Sequence, residues 1–293
     1  MRHTSIPAIA AIAAVALGAA ACGSSGSAVS TEPVHIVETA YTTTLNAKTA
    51  KVAFTESIKS SSTSGSSESA TVTGSGLMNL SNHGFELTVN APSGGTEEVL
   101  ETGSVEYIQV PPASRSQVPG NKAWESVNLN QVDEAKVGKS FSQLSSVNSD
   151  NPTQALSNLA EVSDNVTKVG ASTIDGTATI EYRATVNLTK EAARVKSKDG
   201  SRAALAITQE AQDLGTKTLP VNVWVQANGL VKQIGEQVPI PAASTGATNG
   251  SGKATITMTF SDFGTPAPLT PPPSSQVADI TAEAVQQAKT SGG

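Results

Sequence analysis

Apolar residues fall on alternate positions in one short stretch of this chain after another, and a period of two commits those stretches to strands with one buried face. Val52, Phe54 and Ile58 share a face within residues 51–58. The period resumes after the polar loop SSSTSGSSES at Ala70, Val72, Gly74, Gly76 and Met78, and after Ser81-Asn82-His83-Gly84 it runs through Phe85, Leu87 and Val89. Residues 99–110 predict one or two strands ended by Pro111-Pro112, and 124–129, 166–169 and 177–188 predict more, the last with Ile180, Tyr182, Ala184, Val186 and Leu188 on one face. Residues 219–225, holding Val223 and Val225, and 230–238 flank Asn228-Gly229, the strongest short hairpin signal in the chain. Ile256, Met258 and Phe260 mark the last strand.

Helical spacing is confined to a few places. Val34, Val37, Tyr41 and Leu45 predict a short helix, and Phe141, Leu144 and Val147 a second. Asn151-Pro152 opens a clearer one that buries Leu156, Leu159 and Val162. Helical pieces are expected within 189–214, and an amphipathic one over 277–289. About eight to eleven antiparallel strands in up-and-down order, with two or three helices inserted and no βαβ rhythm, predict an α+β fold. It would be one strongly curved antiparallel β-sheet, a half-barrel, with the helices packed against its concave apolar face.

The amino-terminal segment decides where such a fold works. Residues 6–21, IPAIAAIAAVALGAAA, are unbroken apolar or small and follow Arg2. They fall short of the roughly 20 residues of a permanent membrane helix and end in small residues, the pattern of an export signal. Ala19-Ala20-Ala21-Cys22-Gly23 resembles the bacterial lipobox, with Ala19 where leucine is usual and Leu17 two places earlier. Cys22 is the only cysteine, so its acylation leaves none for a disulfide or thiolate metal site. The expected organisation is a signal peptide over 1–21, a Ser/Gly-rich tether over 22–33, a single domain over 34–281 and a tail over 282–293. Without residues 1–21 the chain carries 18 Lys and Arg against 25 Asp and Glu, a formal charge of −7. That acidity argues against nucleic acid and against electrostatic attraction to anionic lipid. A monomer held at the extracytoplasmic face of the cell membrane by its acyl chains is expected.

Several strings carry a resemblance. Leu219-Pro220-Val221-Asn222-Val223-Trp224-Val225, the Asn228-Gly229 turn and Leu230-Val231-Lys232-Gln233-Ile234 resemble a strand pair of actinobacterial lipoproteins of the LppX and LprG type and their LolA-like relatives. Asp175-Gly176 before Thr179–Val186, the segment from Asn151, Phe260-Ser261-Asp262-Phe263-Gly264, Pro271-Pro272 and Val277–Thr281 are similar to other lipoproteins of that origin. The resemblance implies a half-barrel wrapping helices around a hydrophobic cavity that in those relatives receives acyl chains. Long Ser/Gly insertions and few large apolar residues set this chain apart from them.

No catalytic constellation stands out. Asp262-Phe263-Gly264 lacks the glycine-rich loop and catalytic-loop motif of a kinase. Gly74 and Gly76 alternate in a strand instead of opening a helix, and are expected to let another element approach. Beyond the signal only His35 and His83 remain, with no metal-ligand spacing. Glu97-Glu98 and Asp133-Glu134 read as solvated loop acids, and Trp124 and Trp224 as core or sheet surface. No cofactor and no metal are expected. The expectation is a non-enzymatic lipoprotein that binds or carries a lipid or other amphiphile in a trough lined by Val52, Phe54, Met78, Phe85, Leu87, Val89, Tyr182, Val223, Val225, Ile256, Met258 and Phe260, with Leu156 and Leu159 in its lid. Three alternatives stay open: a closed core filled by the same side chains, an envelope scaffold whose loops touch a protein partner, and a hydrolase.

Overall fold

A computed structural model describes residues 32–61, 67–82, 84–90, 95–135, 165–198, 214–240 and 251–290, with a few positions between 204 and 212. The expected signal peptide, Cys22, most of the tether, and the helix carrying Leu156, Leu159 and Val162 lie outside the described residues, as does His83.

The chain enters through helix α1 (Pro33–Asn46), with proline in its first turn, where a missing N–H costs nothing. Two runs of antiparallel strands follow. The first comprises β1 (Thr49–Ser61), β2 (Ser67–Asn79), β3 (Gly84–Asn90), β4 (Thr96–Thr102), β5 (Val105–Gln109) and β6 (Trp124–Asn128). The second comprises β7 (Thr167–Ile174), β8 (Thr177–Asn187), β9 (Thr218–Gln226), β10 (Val231–Ile240) and β11 (Ser251–Ser261). Helices α2 (Leu129–Ala135) and α3 (Leu188–Lys198) follow β6 and β8, and β12 (Val277–Asp279) and α4 (Thr281–Thr290) close the chain.

The twelve strands found among the described residues form one open sheet in the order β12-β6-β5-β4-β3-β2-β1-β11-β10-β9-β8-β7. The α+β curved-sheet expectation therefore holds, with two differences. The sheet is mixed, because β12 runs parallel to β6. Nor is it one continuous meander: β1 pairs with β11 over eleven residues, so the first and last long strands meet in the middle, and the edges are β7 from mid-sequence and the short carboxy-terminal β12. Twelve twisted strands cannot stay flat, and the sheet curls over a core drawn from β1–β4, β8–β11 and α1.

Register explains which side is buried. Val52 stands between Phe260 and Gly76, and Phe54 between Met258 and Gly74, so one row of alternating side chains passes from strand to strand on a single face. Gly74 is needed there, since a Cβ would overlap the Phe54 ring. At Gly76 it would overlap the main chain at Glu86 and Leu87. Both glycines thus permit the close approach expected of them.

Local chemistry sets the turns. At Asp175-Gly176 both residues have positive φ, 48° and 75°, and Ile174 pairs with Thr177, which is a two-residue type I′ hairpin. Around Asn228-Gly229 only Gly229 is left-handed (φ 81°). Its N–H bonds to Gln226 O at 2.9 Å and Gln226 N–H to Leu230 O at 2.9 Å, so this hairpin has the longer, bulged loop. Val231 N–H is thereby turned to α1, where the fully buried Thr44 Oγ1 accepts it at 2.9 Å. A threonine, a residue of low helix propensity, thus serves α1 as a tertiary fastening. Helix α2 was not expected. It begins where Asn128 Oδ1 accepts Gln131 N–H at 3.3 Å. The terminal helix starts later than periodicity predicted, because Val277 and Ala278 pair with β6 and Asp279 Oδ1 caps Thr281 N–H at 2.9 Å.

Candidate functional site

Most of the side chains expected to line a trough are packed side by side. Val52, Phe54, Met78, Phe85, Leu87, Val223, Ile256, Met258 and Phe260 are buried in one continuous cluster, and Val89 packs against it half-buried. Tyr182 and Val225 differ. They belong to that cluster and also line a cleft of about 540 Å³ between α1 and the ends of β7, β8 and β9.

The cleft is built from backbone features already described. The type I′ turn holds β7 against β8, placing Ala171, Ser172 and Thr173 opposite Ile180, Thr179 and Ala178. The bulged loop after β9 adds Gln226, Ala227 and Gly229, and Ile36 from the second turn of α1 faces them across the opening. Thr43, also on α1, lies about 3.7 Å from the position a Cβ on Gly229 would take, an ordinary contact distance, so it is the positive φ of 81° that calls for glycine there. Outside the lining, Lys232 is almost fully buried on β10. Its Nζ donates to Phe260 O at 3.3 Å and lies 3.5 Å from Asp175 Oδ2, tying the β7–β8 turn to the sheet centre.

No charged side chain lines the cleft among the described residues. Its polar groups are hydroxyls, one carboxamide and the Tyr182 phenol. Thr179 Oγ1 donates to Ser172 O at 3.2 Å. The side chains of Ser172, Thr173 and Gln226 have no protein partner among the described residues. Tyr182 is 4 % exposed, yet its hydroxyl has none either. Burial raises its pKa, so the phenol stays protonated and available as a donor. Among the described residues no histidine or carboxylate stands beside Ser172 in this lining.

At the other end of the sheet the same face is acidic. Glu101 pairs directly with Glu106, Val99 with Ile108, and Ile108 with Glu125. Burial first, and the Glu106 carboxylate second, push the Glu101 carboxyl up to about 7. Burial and Glu125 raise Glu97 as well, so Glu97 is not the freely solvated loop acid that the sequence suggested. Among the described residues no three His, Cys, Asp or Glu side chains converge as a metal site. His35 is half-exposed on α1, 3.9 Å from Glu38. Trp224 covers Gly235 on the opposite sheet face. Trp124 lines a shallow groove with Pro272 and Pro273.

The sequence did not point to Ile36, Ala171, Ser172 or Gln226. For Ala171, Ser172 and Gln226 the only local signal is proximity to Asp175-Gly176 and Asn228-Gly229, because two turns that end neighbouring hairpins on the same side of a sheet must lie together; Ile36, on α1, has none.

The arrangement defines a class of fold: an open, curled α+β sheet with a helix laid against its apolar face. The chain is similar in structure to lipoprotein LppX of Mycobacterium tuberculosis (TM-score 0.42, 13% identity, 81% of this chain and 98% of that one). It is likewise similar to LprF of Mycobacterium bovis (TM-score 0.42, 15%, 83% and 98%) and to a LolA superfamily protein of Nitrosomonas europaea (TM-score 0.30, 11%, 80% and 93%). These are similarities of general architecture and say nothing of a ligand. No family model and no curated protein matches the sequence.

Proposed function

We propose that this chain is a lipid-anchored protein of the cell envelope that binds or carries an amphiphile, without catalysing a reaction. The observation that carries the reading is the cleft of about 540 Å³. It lies within the range of roughly 300–1,000 Å³ typical of ligand pockets, and its mainly apolar wall is continuous with the core. An alkyl chain entering it would leave water at a gain of about 0.8 kcal/mol per methylene. The apolar run 6–21 followed by Cys22 supports the anchor, which would keep the cleft within reach of a bilayer.

Two measurements test this. In an exporting bacterial host the wild-type chain should partition into membranes, and Cys22→Ala should release it. The released full chain, examined by native mass spectrometry after exposure to bacterial lipid extract, should carry one amphiphile. Ala178→Phe, at an exposed position that lines the cleft, should reduce that occupancy in a folded protein. A released chain that stays empty with every lipid class would sink the carrier reading. It would favour a scaffold role, with which the packing of Phe54, Met258 and Phe260 into the core also agrees.

A further inference from the structure

Resting on that reading of the cleft as an amphiphile site, we infer that its ligand has a single alkyl chain and an uncharged, hydrogen-bonding head group. Three observations on the cleft lead there independently.

The first is size. A methylene group fills about as much room as a water molecule in the liquid, roughly 30 Å³. A cleft of about 540 Å³ therefore holds roughly eighteen such groups, which is one long alkyl chain with its head group at the opening. A second or third acyl chain has no room beside it on the sheet, because Val223 and Val231, which pair with the lining residues Tyr182 and Val225, and Ile234 next to them are at most 1 % exposed.

Charge is the second. A phosphate or carboxylate drawn into this lining would give up water without meeting a lysine or arginine among the described residues, and an ammonium would meet no carboxylate. Such a transfer is costly unless the charge is paired. Hydroxyl and ester oxygens carry no such penalty once each has one hydrogen bond.

The third is the buried phenol. A hydroxyl on a residue 4 % exposed, with no partner among the described residues, is an unmet donor at the boundary between the apolar wall and the cleft. An ester carbonyl or hydroxyl at the junction of chain and head would satisfy it. The unpartnered Gln226 carboxamide and the Ser172 and Thr173 hydroxyls would then meet the rest of a polyol-type head.

Binding of three probes with the same oleoyl chain to the released Cys22→Ala full chain decides the matter: monoolein, oleoyl lysophosphatidylglycerol and diolein. Monoolein should bind one per chain, with the anionic probe at least tenfold weaker and diolein no tighter than monoolein. Tyr182→Phe, which keeps the ring in the core, should weaken monoolein by roughly fivefold, the value of one hydrogen bond, at unchanged melting temperature. Thr173→Lys, at an exposed position of the lining, should raise affinity for the anionic probe toward that for monoolein. Equal or tighter binding of the anionic probe, tighter binding of the two-chain probe, or indifference to Tyr182→Phe, would overturn the inference while leaving the amphiphile reading standing. If none of the three binds, both fall.

Discussion

Across β8–β11, β1 and β2 the covered face of the sheet is a continuous field of Tyr182, Val186, Val221, Ile234, Ile256, Phe260, Phe54 and Met78. Across β4–β6 the same face carries Glu97, Glu101, Glu106 and Glu125 between Val99, Ile108 and Val127. Alternation is equally strict in both regions, so alternation cannot tell them apart. In the first, nearly every inward position contributes apolar burial; Glu56 and Glu236 are exceptions, and both have interaction partners. In the second, cross-strand registry sets Glu101 against Glu106, and like charges held close oppose the fold. One end of the face therefore carries stability, and the other a dependence on pH.

The sharpest way to break this comparison is to hollow out its apolar side. Phe260→Ala, at a fully buried position, should cost about 4 kcal/mol in denaturant unfolding. Ile108→Ala, half-buried among the acids, should cost less than half as much. Equal losses would show that the two ends share one core. Gly76→Ala should cost about 2–3 kcal/mol, because the main chain of β3 must move to admit a methyl group. A neutral result would show that β2 and β3 are less closely apposed than the structure has them.

The acidic end is sharpened by titration. The Glu101 carboxyl is raised from 4.5 to about 7, so between those values the folded chain holds a proton that the unfolded chain has released. Stability should therefore fall as pH rises from about 4.5 through 7, by an amount on the order of 2 kcal/mol once solvent screening is allowed for. Glu101→Gln should raise stability at pH 8 and flatten that slope in melts run across the range, while the same substitution at exposed Glu86 should do neither. The smallest effect is expected at the strand that finishes this end. Asp279→Ala removes the cap on α4 and should cost about 1 kcal/mol, seen as faster hydrogen exchange over Thr281–Thr290.

Much of the architecture was legible before any coordinates. Period-two runs located the strands, and the spacing of Val34, Val37, Tyr41 and Leu45 located α1. Asp175-Gly176 and Asn228-Gly229 both proved to be hairpin turns, although only the first has the two-residue geometry. The candidate site was much less legible. Tyr182 and Val225 were among the residues expected to meet a ligand, and they line the cleft because β8 and β9, which carry them, stand next to the β7 edge of the sheet. Phe54, Met258 and Phe260 stand on β1 and β11 in the middle of the sheet and became core. Nothing local distinguishes these outcomes, since each residue occupies an apolar position of an alternating strand.

What the sequence by itself determined is therefore the set of strands, the side of each that is buried, and the turns at which the chain can reverse. Side-chain period and backbone stereochemistry act over a few residues and can be read one segment at a time. Only the tertiary structure decided that β1 would lie beside β11, that β12 would join β6 in parallel, that four glutamates would gather at one end, and that an α1 side chain would meet two hairpin ends around a cleft. Those outcomes join residues far apart in the chain, 187 positions for Thr44 and Val231. They depend on which faces can be buried together once the whole sheet has curled.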